Sequence, residues 1–322
     1  MDEMGGGSKD RRGGPGKADG PGWSDVVPGG AEARKAVPGE APALMLVHGW
    51  IGSSALWDLM LPLLSGRYRV LAPDLPGHGG AEIPPGFSFT LDDLSAFLAR
   101  VAEEAGVESF TLVGHSMGGM IALHHAFLHP ETVERLVLMD TPHRSRSLPW
   151  PARLPLLDAA LSLVSRYWRE PTFARLIRSS VRHPEKLPPP FLREAAARAS
   201  RIDRGALLET TRMVRGFDLS AEARDVAVPT LVIHGDRDRS VKPSESRRLC
   251  GLLRNAELRV VPDCGHCPNY EYPELVVEMI EGWRRSTPGP PSSPSSPCRG
   301  SRIPAGSSGE AASPLPGWPS AS

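Results

Sequence analysis

The run Gly114-His115-Ser116-Met117-Gly118-Gly119 places a serine between an apolar stretch, Ser109–Val113, and the start of a helical pattern. It fits G-x-S-x-G, a pattern that a chain with 33 glycines can also meet by accident. The context carries more weight. A serine on a sharp strand-to-helix turn holds its hydroxyl outward, and glycines two positions before and after it remove side chains that would collide across the turn. The backbone N–H of Met117, at the helix start, then points where a carbonyl oxygen becomes negative under attack. A serine hydroxyl is a weak nucleophile until a base takes its proton. His266, in Val261-Pro262-Asp263-Cys264-Gly265-His266, follows the last apolar run and precedes the last helical pattern. From such a loop an imidazole can reach over the strand ends. The imidazole needs a carboxylate to fix its tautomer and stabilise its charged form. Asp238, in Gly235-Asp236-Arg237-Asp238-Arg239, is the first choice. Asp236, nearer the strand, reads as a turn residue, and Asp140, after Val133–Met139, is a third candidate.

These side chains need a frame. Ala43–His48, Tyr68–Ala72, Ser109–Val113, Val133–Met139, Thr230–His234 and Leu258–Val261 read as strands. Most lack polar alternation, as in strands buried on both faces of a parallel sheet. Helical patterns lie between them at Ala55–Leu64, Leu91–Ala105, Gly118–Leu128, Pro243–Leu253 and Pro273–Arg284. The alternation predicts an α/β fold with a doubly wound, mostly parallel sheet, whose chemistry sits beyond the carboxyl ends of the strands. The sheet's two parts are expected at 41–142 and 228–285. From 143 to 227 no strand pattern is visible; helical segments such as Leu154–Trp168 and Arg204–Phe217 predict a helical cap over the strand ends. Between residues 143 and 225, sixteen Arg and Lys stand against nine Asp and Glu. Residues 1–40 and 286–322 are rich in Gly, Pro and Ser and are expected to be disordered.

The chain has 322 residues, 37 Lys plus Arg and 37 Asp plus Glu, so net charge supplies no pull toward nucleic acid or an anionic membrane. No secretory signal and no apolar run of about 18 residues is seen, so a cytoplasmic protein without an integral membrane segment is expected. Four cysteines, Cys250, Cys264, Cys267 and Cys298, are too few for a disulfide scaffold at this length. Cys264 and Cys267 spell CxxC, but the downstream strands and helix of a thioredoxin-like domain are missing, and no further ligands stand at zinc spacing. His124 and His125 are adjacent on a helix and point different ways, one expected packed and one exposed.

Leu46-Val47-His48-Gly49-Trp50, Asp74-Leu75-Pro76-Gly77-His78-Gly79, GHSMGG, HGDRD and CGH occur in order. With them, residues 41–285 resemble the α/β-hydrolase superfamily, in its serine esterase and lipase-like branch. The resemblance implies a Ser116–His266–Asp238 triad, with the N–H groups of Trp50 and Met117 as oxyanion hole. It makes His78 and Asp74 structural. The sequence departs from the family at Ala81, where serine is frequent, and in 22–40, where an opening hairpin is hard to see. The expected activity is hydrolysis of a carboxylic ester or thioester through an acyl-enzyme. No cofactor or metal is needed, and the expected partner is a small-molecule substrate with an apolar acyl or alcohol part. Two rivals stand beside it. One is a lyase or carbon–carbon bond hydrolase of the same fold acting on an anionic substrate, with cap arginines such as Arg144, Arg146 or Arg212 facing the pocket. The other is a non-catalytic ligand-binding protein on the same fold.

Overall fold

The computed structural model describes residues 41–148, 161, 163 and 169–287. Six strands form one sheet: β1 (Ala43–Val47), β2 (Arg69–Leu71), β3 (Phe110–His115), β4 (Val133–Met139), β5 (Thr230–Gly235) and β6 (Ala256–Val261). Their order is β2-β1-β3-β4-β5-β6, and every adjacent pair is parallel. All six residues of β3 and all six of β5 are buried, which is why these strands lack alternation.

Helices cover both faces. On one, α2 (Leu91–Glu104) and α3 (Met117–Leu128) pack Leu94, Leu98, Met120 and Ile121 against Met45 and Leu112. Thr90 caps α2 by accepting from Asp93 N–H, with Asp92 and Asp93 in the first turn. On the other face Trp57, Val277, Ile280 and Trp283 cover Leu44 and Val113. The helix expected over Ala55–Leu64 is instead a 3₁₀ turn, Ser54–Trp57, followed by α1 (Leu61–Leu64). Pro62 explains the break: lacking an N–H, it suits the first turn of a new helix and not the interior of a longer one.

Between β4 and β5 the described chain is helical: α4 (Glu170–Ser180), α5 (Pro189–Ala199), α6 (Arg204–Gly216) and α7 (Ser220–Asp225). The expected helix at Leu154–Trp168 lies outside the described residues except Leu161 and Leu163, both helical. This insertion is tied to the core at separate points. Asp203 N–H donates to Gly77 O at 2.7 Å, Arg198 pairs with Asp74 at 3.2 Å, and His266 N–H donates to Ser180 O at 2.8 Å. After β5 come α8 (Pro243–Leu252), the short α9 (Pro268–Glu271) and α10 (Pro273–Ser286). Among the described residues no helix is long and apolar enough to cross a membrane. The disorder expected at 1–40 and 286–322 falls outside the described residues except at Ser286, which ends α10, and Thr287; the segment 22–40, where an opening hairpin is hard to see, lies outside them too.

Candidate active site

The turn from β3 into α3 is built around Ser116, whose φ of 54° lies in a region L-residues rarely adopt. Its N–H donates to Met139 O, while its carbonyl accepts from Gly119 and Met120 N–H. The strained turn is thus anchored to β4 on one side and to the helix on the other. Two glycines permit the close approach. A Cβ on Gly114 would meet the backbone of Gly118 and Gly119; a Cβ on Gly118 would meet the carbonyl oxygens of Val47 and His48. Because those obstacles are backbone, Gly118→Ala is expected to destabilise the fold by about 1–3 kcal/mol or more, seen as a melting temperature lower by several degrees in circular dichroism. An unchanged melting temperature would show that β1 yields to α3 without strain.

His266, carried by the loop after β6, reaches Ser116 Oγ with Nε2 at 3.1 Å and Asp238 Oδ2 with Nδ1 at 2.7 Å. Asp238 accepts further from the N–H groups of Ser240 (2.7 Å) and Val241 (3.1 Å) on Oδ1. Burial alone would raise its pKa, but the charge and hydrogen bond of His266, with nearby His234 and the Val241 N–H, together hold the carboxyl below its usual range. Asp236 accepts from Cys264 N–H and pairs with Arg237, a turn residue as expected. Asp140 is fully buried behind Asp238 and accepts from Gly235 N–H.

The backbone of His266 is held from two sides. Its N–H meets Ser180 O of the insertion, and its carbonyl lies 2.7 Å from His115 Nε2. A carbonyl can only accept, so His115 carries its proton on Nε2. Burial pushes that imidazole down to about 3, aided by His266 nearby, so it stays neutral. Sequence reasoning missed both contacts: they join residues 86 to 151 positions apart, and no local pattern encodes them.

Ser116 and His266 open on a cavity of about 440 Å³. Its described lining is mostly apolar, with Leu56, Met120, Phe173, Leu176, Ile177 and Tyr270 among the contributors. Trp50 and Met117, the expected oxyanion donors, both border it. Trp50 stands in the tight turn Gly49–Gly52, where Gly52 N–H donates to Gly49 O and Ile51 has φ of 59°. A β-branched residue with positive φ is strained, and such strain gathers at functional sites.

The profile of the alpha/beta hydrolase fold family matches residues 42–273. The chain belongs to the α/β-hydrolase family. Over 250 residues it is 30% identical to a pimeloyl-[acyl-carrier protein] methyl ester esterase of Nitrosomonas europaea, covering 76% of this chain and 96% of that one. It is 30% identical over 277 residues to a 2-hydroxymuconate semialdehyde hydrolase of a Pseudomonas species, covering 80% and 91%. A thermophilic esterase from Thermogutta terrifontis superposes with a TM-score of 0.65 at 25% identity, covering 77% and 91%. With esterases among its relatives, this α/β hydrolase is an ester-hydrolysing enzyme, which sets aside the non-catalytic rival.

Other expectations resolve in this α/β hydrolase as follows. Asp74 accepts from Ser54 N–H and from Arg198, and His78 is buried with Nδ1 on Pro76 O; both brace their loop. Burial pushes His78 down to about 3. Arg144, Arg146 and Arg212 do not line the cavity: Arg144 pairs with Glu245 at 3.5 Å and Arg212 with Glu209, while Arg146 is exposed. Among the described residues the arginines that do are Arg215 and Arg239. His124 and His125 are both buried, not one packed and one exposed. His124 bonds Asp92 at 2.7 Å and His125 bonds Ser95 at 2.8 Å, since α2 covers both. Cys264 and Cys267 are buried free thiols whose pKa values burial pushes up, so neither is a ready thiolate. Two sets of potential metal-ligating atoms lie within 4.8 Å of one another, His115–Asp140–His266 and Asp140–His234–Asp238. Each includes a member of the Ser116 hydrogen-bond chain, so a metal there would compete for the lone pairs that hold it.

Proposed function

We propose that this α/β hydrolase is a serine hydrolase that cleaves a carboxylic ester or thioester through an acyl-enzyme on Ser116. The observation that carries the reading is the hydrogen-bonded chain Ser116–His266–Asp238 at the edge of an apolar cavity. Ser116 Oγ attacks the carbonyl carbon while its proton passes to His266 Nε2. The oxyanion is held by the N–H groups of Met117 and Trp50. His266 returns the proton to the departing alkoxide or thiolate, leaving acyl-Ser116. Water then attacks; His266 takes its proton and gives it back to Ser116 as the acid leaves. Asp238 keeps the imidazole in the tautomer whose Nε2 lone pair faces Ser116.

Residues 143–227 act as the cap, with α4 and α6 contributing Phe173, Ile177 and Val214 to the cavity wall. The apolar wall supports a small substrate with an apolar acyl or alcohol part. Arg215 and Arg239 support an acid group on part of the substrate range. The test is fluorophosphonate labelling with the modified peptide located by mass spectrometry, followed by two p-nitrophenyl ester series. One series has plain acyl chains and the other chains ending in a carboxylate. Label on the peptide carrying Ser116 is expected. Preference for the carboxylate series would assign Arg215 and Arg239 to it; folded protein that takes no label would overturn the serine mechanism.

A further inference from the structure

The carboxyl of Asp140 is fully buried, and its environment is rich in acceptors. Oδ1 accepts from Gly235 N–H at 3.0 Å; Oδ2 has no donor within reach among the described residues. The ring of His234 lies on one side, with Nδ1 3.2 Å from Oδ1. That ring is buried, and burial holds its pKa down. Its Nε2 is 3.1 Å from Val241 O, which can only accept, so the proton sits on Nε2 and Nδ1 presents a lone pair. The hydroxyl of Ser246, 2.6 Å from Nδ1, supplies that lone pair's hydrogen bond. On the other side of Asp140 is the carboxylate of Asp238, within 4.8 Å. An ionised Asp140 would therefore face a lone pair and a second carboxylate, with one oxygen unsatisfied. A neutral acid removes the repulsion between two carboxylates and satisfies Oδ2, which then carries the proton and becomes a donor; the His234 lone pair then faces an uncharged carbonyl oxygen instead of an ionised one.

We propose that Asp140 is a positioning residue: a buried neutral acid whose Oδ2–H donates to Asp238 and holds the carboxylate that orients His266. The proposal rests on the reading of Asp238 and His266 given above. Burial, and then the neighbouring charge of Asp238, push the Asp140 carboxyl well up from its ordinary value, in the direction this role requires. The other titratable groups around it agree. From the end of β3 comes His115, held neutral; from the loop after β6 come His266 and the buried thiols Cys264 and Cys267; from α9 comes Glu271, a further negative charge that disfavours a second one. The backbone of Asp140 has φ of 45°, a conformation that Asp and Asn tolerate better than most residues.

Asp140→Asn reproduces the neutral acid: its oxygen accepts from Gly235 N–H and its amide donates to Asp238. It is expected to keep kcat/KM within about threefold and to leave the acid limb of the pH–rate profile unmoved, because no charge is removed. Asp140→Ala, which removes the donor, is expected to lower kcat at least tenfold at unchanged KM. A second readout is independent of catalysis. A carboxyl raised in the folded state must take up a proton on folding, so its stability contribution is present below the ordinary carboxylate range and is lost as pH rises toward the folded value. Asn has no such requirement, so the melting temperature of Asp140→Asn relative to the native chain is expected to climb steadily from pH 5 to pH 8. If instead Asp140→Asn costs tenfold or more and the melting difference is flat with pH, Asp140 is ionised and paired with a protonated His234, and the proposal is overturned. Fluorophosphonate labelling of the native chain separates this failure from failure of the serine mechanism. Should Asp140→Ala not fold, the Asn variant decides by itself.

Discussion

Ser116→Ala is expected to lower kcat on an ester substrate by about 10⁵- to 10⁶-fold with little change in KM. The size of the loss follows from what alanine removes. Without Oγ there is no nucleophile, no acyl intermediate and no group for His266 Nε2 to deprotonate at 3.1 Å. The substrate still binds in a cavity whose wall is mostly other side chains. On the proposed mechanism the N–H groups of Trp50 and Met117 would still hold the carbonyl oxygen, so a residual rate about 10³–10⁴ above that in water should persist through direct attack by water. His266→Ala is expected to cost about as much, and the double variant little more than either, because the two groups work as one unit. The checks are steady-state kinetics on a p-nitrophenyl ester, loss of phosphonate labelling and an unchanged melting temperature. A Ser116→Ala enzyme that kept more than about one part in a hundred of its rate would sink the acyl-enzyme mechanism, since a serine nucleophile leaves no such remainder.

The second large effect is at Asp238. Asp238→Asn changes no volume, yet about a 10⁴-fold fall in kcat is expected, by a route the hydrogen bonds dictate. Oδ1 accepts two backbone N–H groups, from Ser240 and Val241. In the variant only the amide oxygen can take that place, so the amide NH₂ must turn toward His266 Nδ1, 2.7 Å away in the native arrangement. Nδ1 must then accept, and the ring proton moves to Nε2, the atom that has to take the proton of Ser116. The base is present but in the wrong tautomer. Nitrogen-15 NMR of the labelled imidazole reads this directly. Asp236→Asn, on a side chain that among the described residues meets Cys264 N–H and Arg237, is expected to change kcat less than threefold. A loss of less than tenfold in Asp238→Asn would hand the orienting role to Asp140, the other carboxyl within 4.8 Å of the imidazoles.

Much of this molecule is legible in short stretches of sequence because the physics there is local. A buried parallel strand needs an unbroken apolar run, and Ser109–Val113 and Thr230–His234 announce themselves that way. The turn at Ser116 needs glycine on both sides, since Gly114 and Gly118 each touch backbone where a Cβ would stand. At Ala55–Leu64 the apolar spacing predicts one helix, and Pro62 divides it into a 3₁₀ turn and a short helix. At the histidine pair 124 and 125 the structure differs from the local expectation for another reason. Adjacent positions do diverge on a helix, but α2 covers enough of α3 to bury both.

By itself the sequence determined the alternating α/β layering, the helical insertion after β4, the serine turn and the loop on which His266 stands. Each depends on periodicity, turn chemistry or chain order within a few residues. Only the tertiary structure decided which of Asp140, Asp236 and Asp238 meets His266, and which arginines border the cavity. It alone brought His115 and Ser180 to the two ends of the His266 peptide. The physical reason is range. The contact between Ser116 and His266 spans 150 positions, and that between Asp238 and His266 spans 28. Over such separations an arrangement of side chains is set by how the strand ends and the insertion pack, and packing is a property of the assembled core that no single stretch of chain carries.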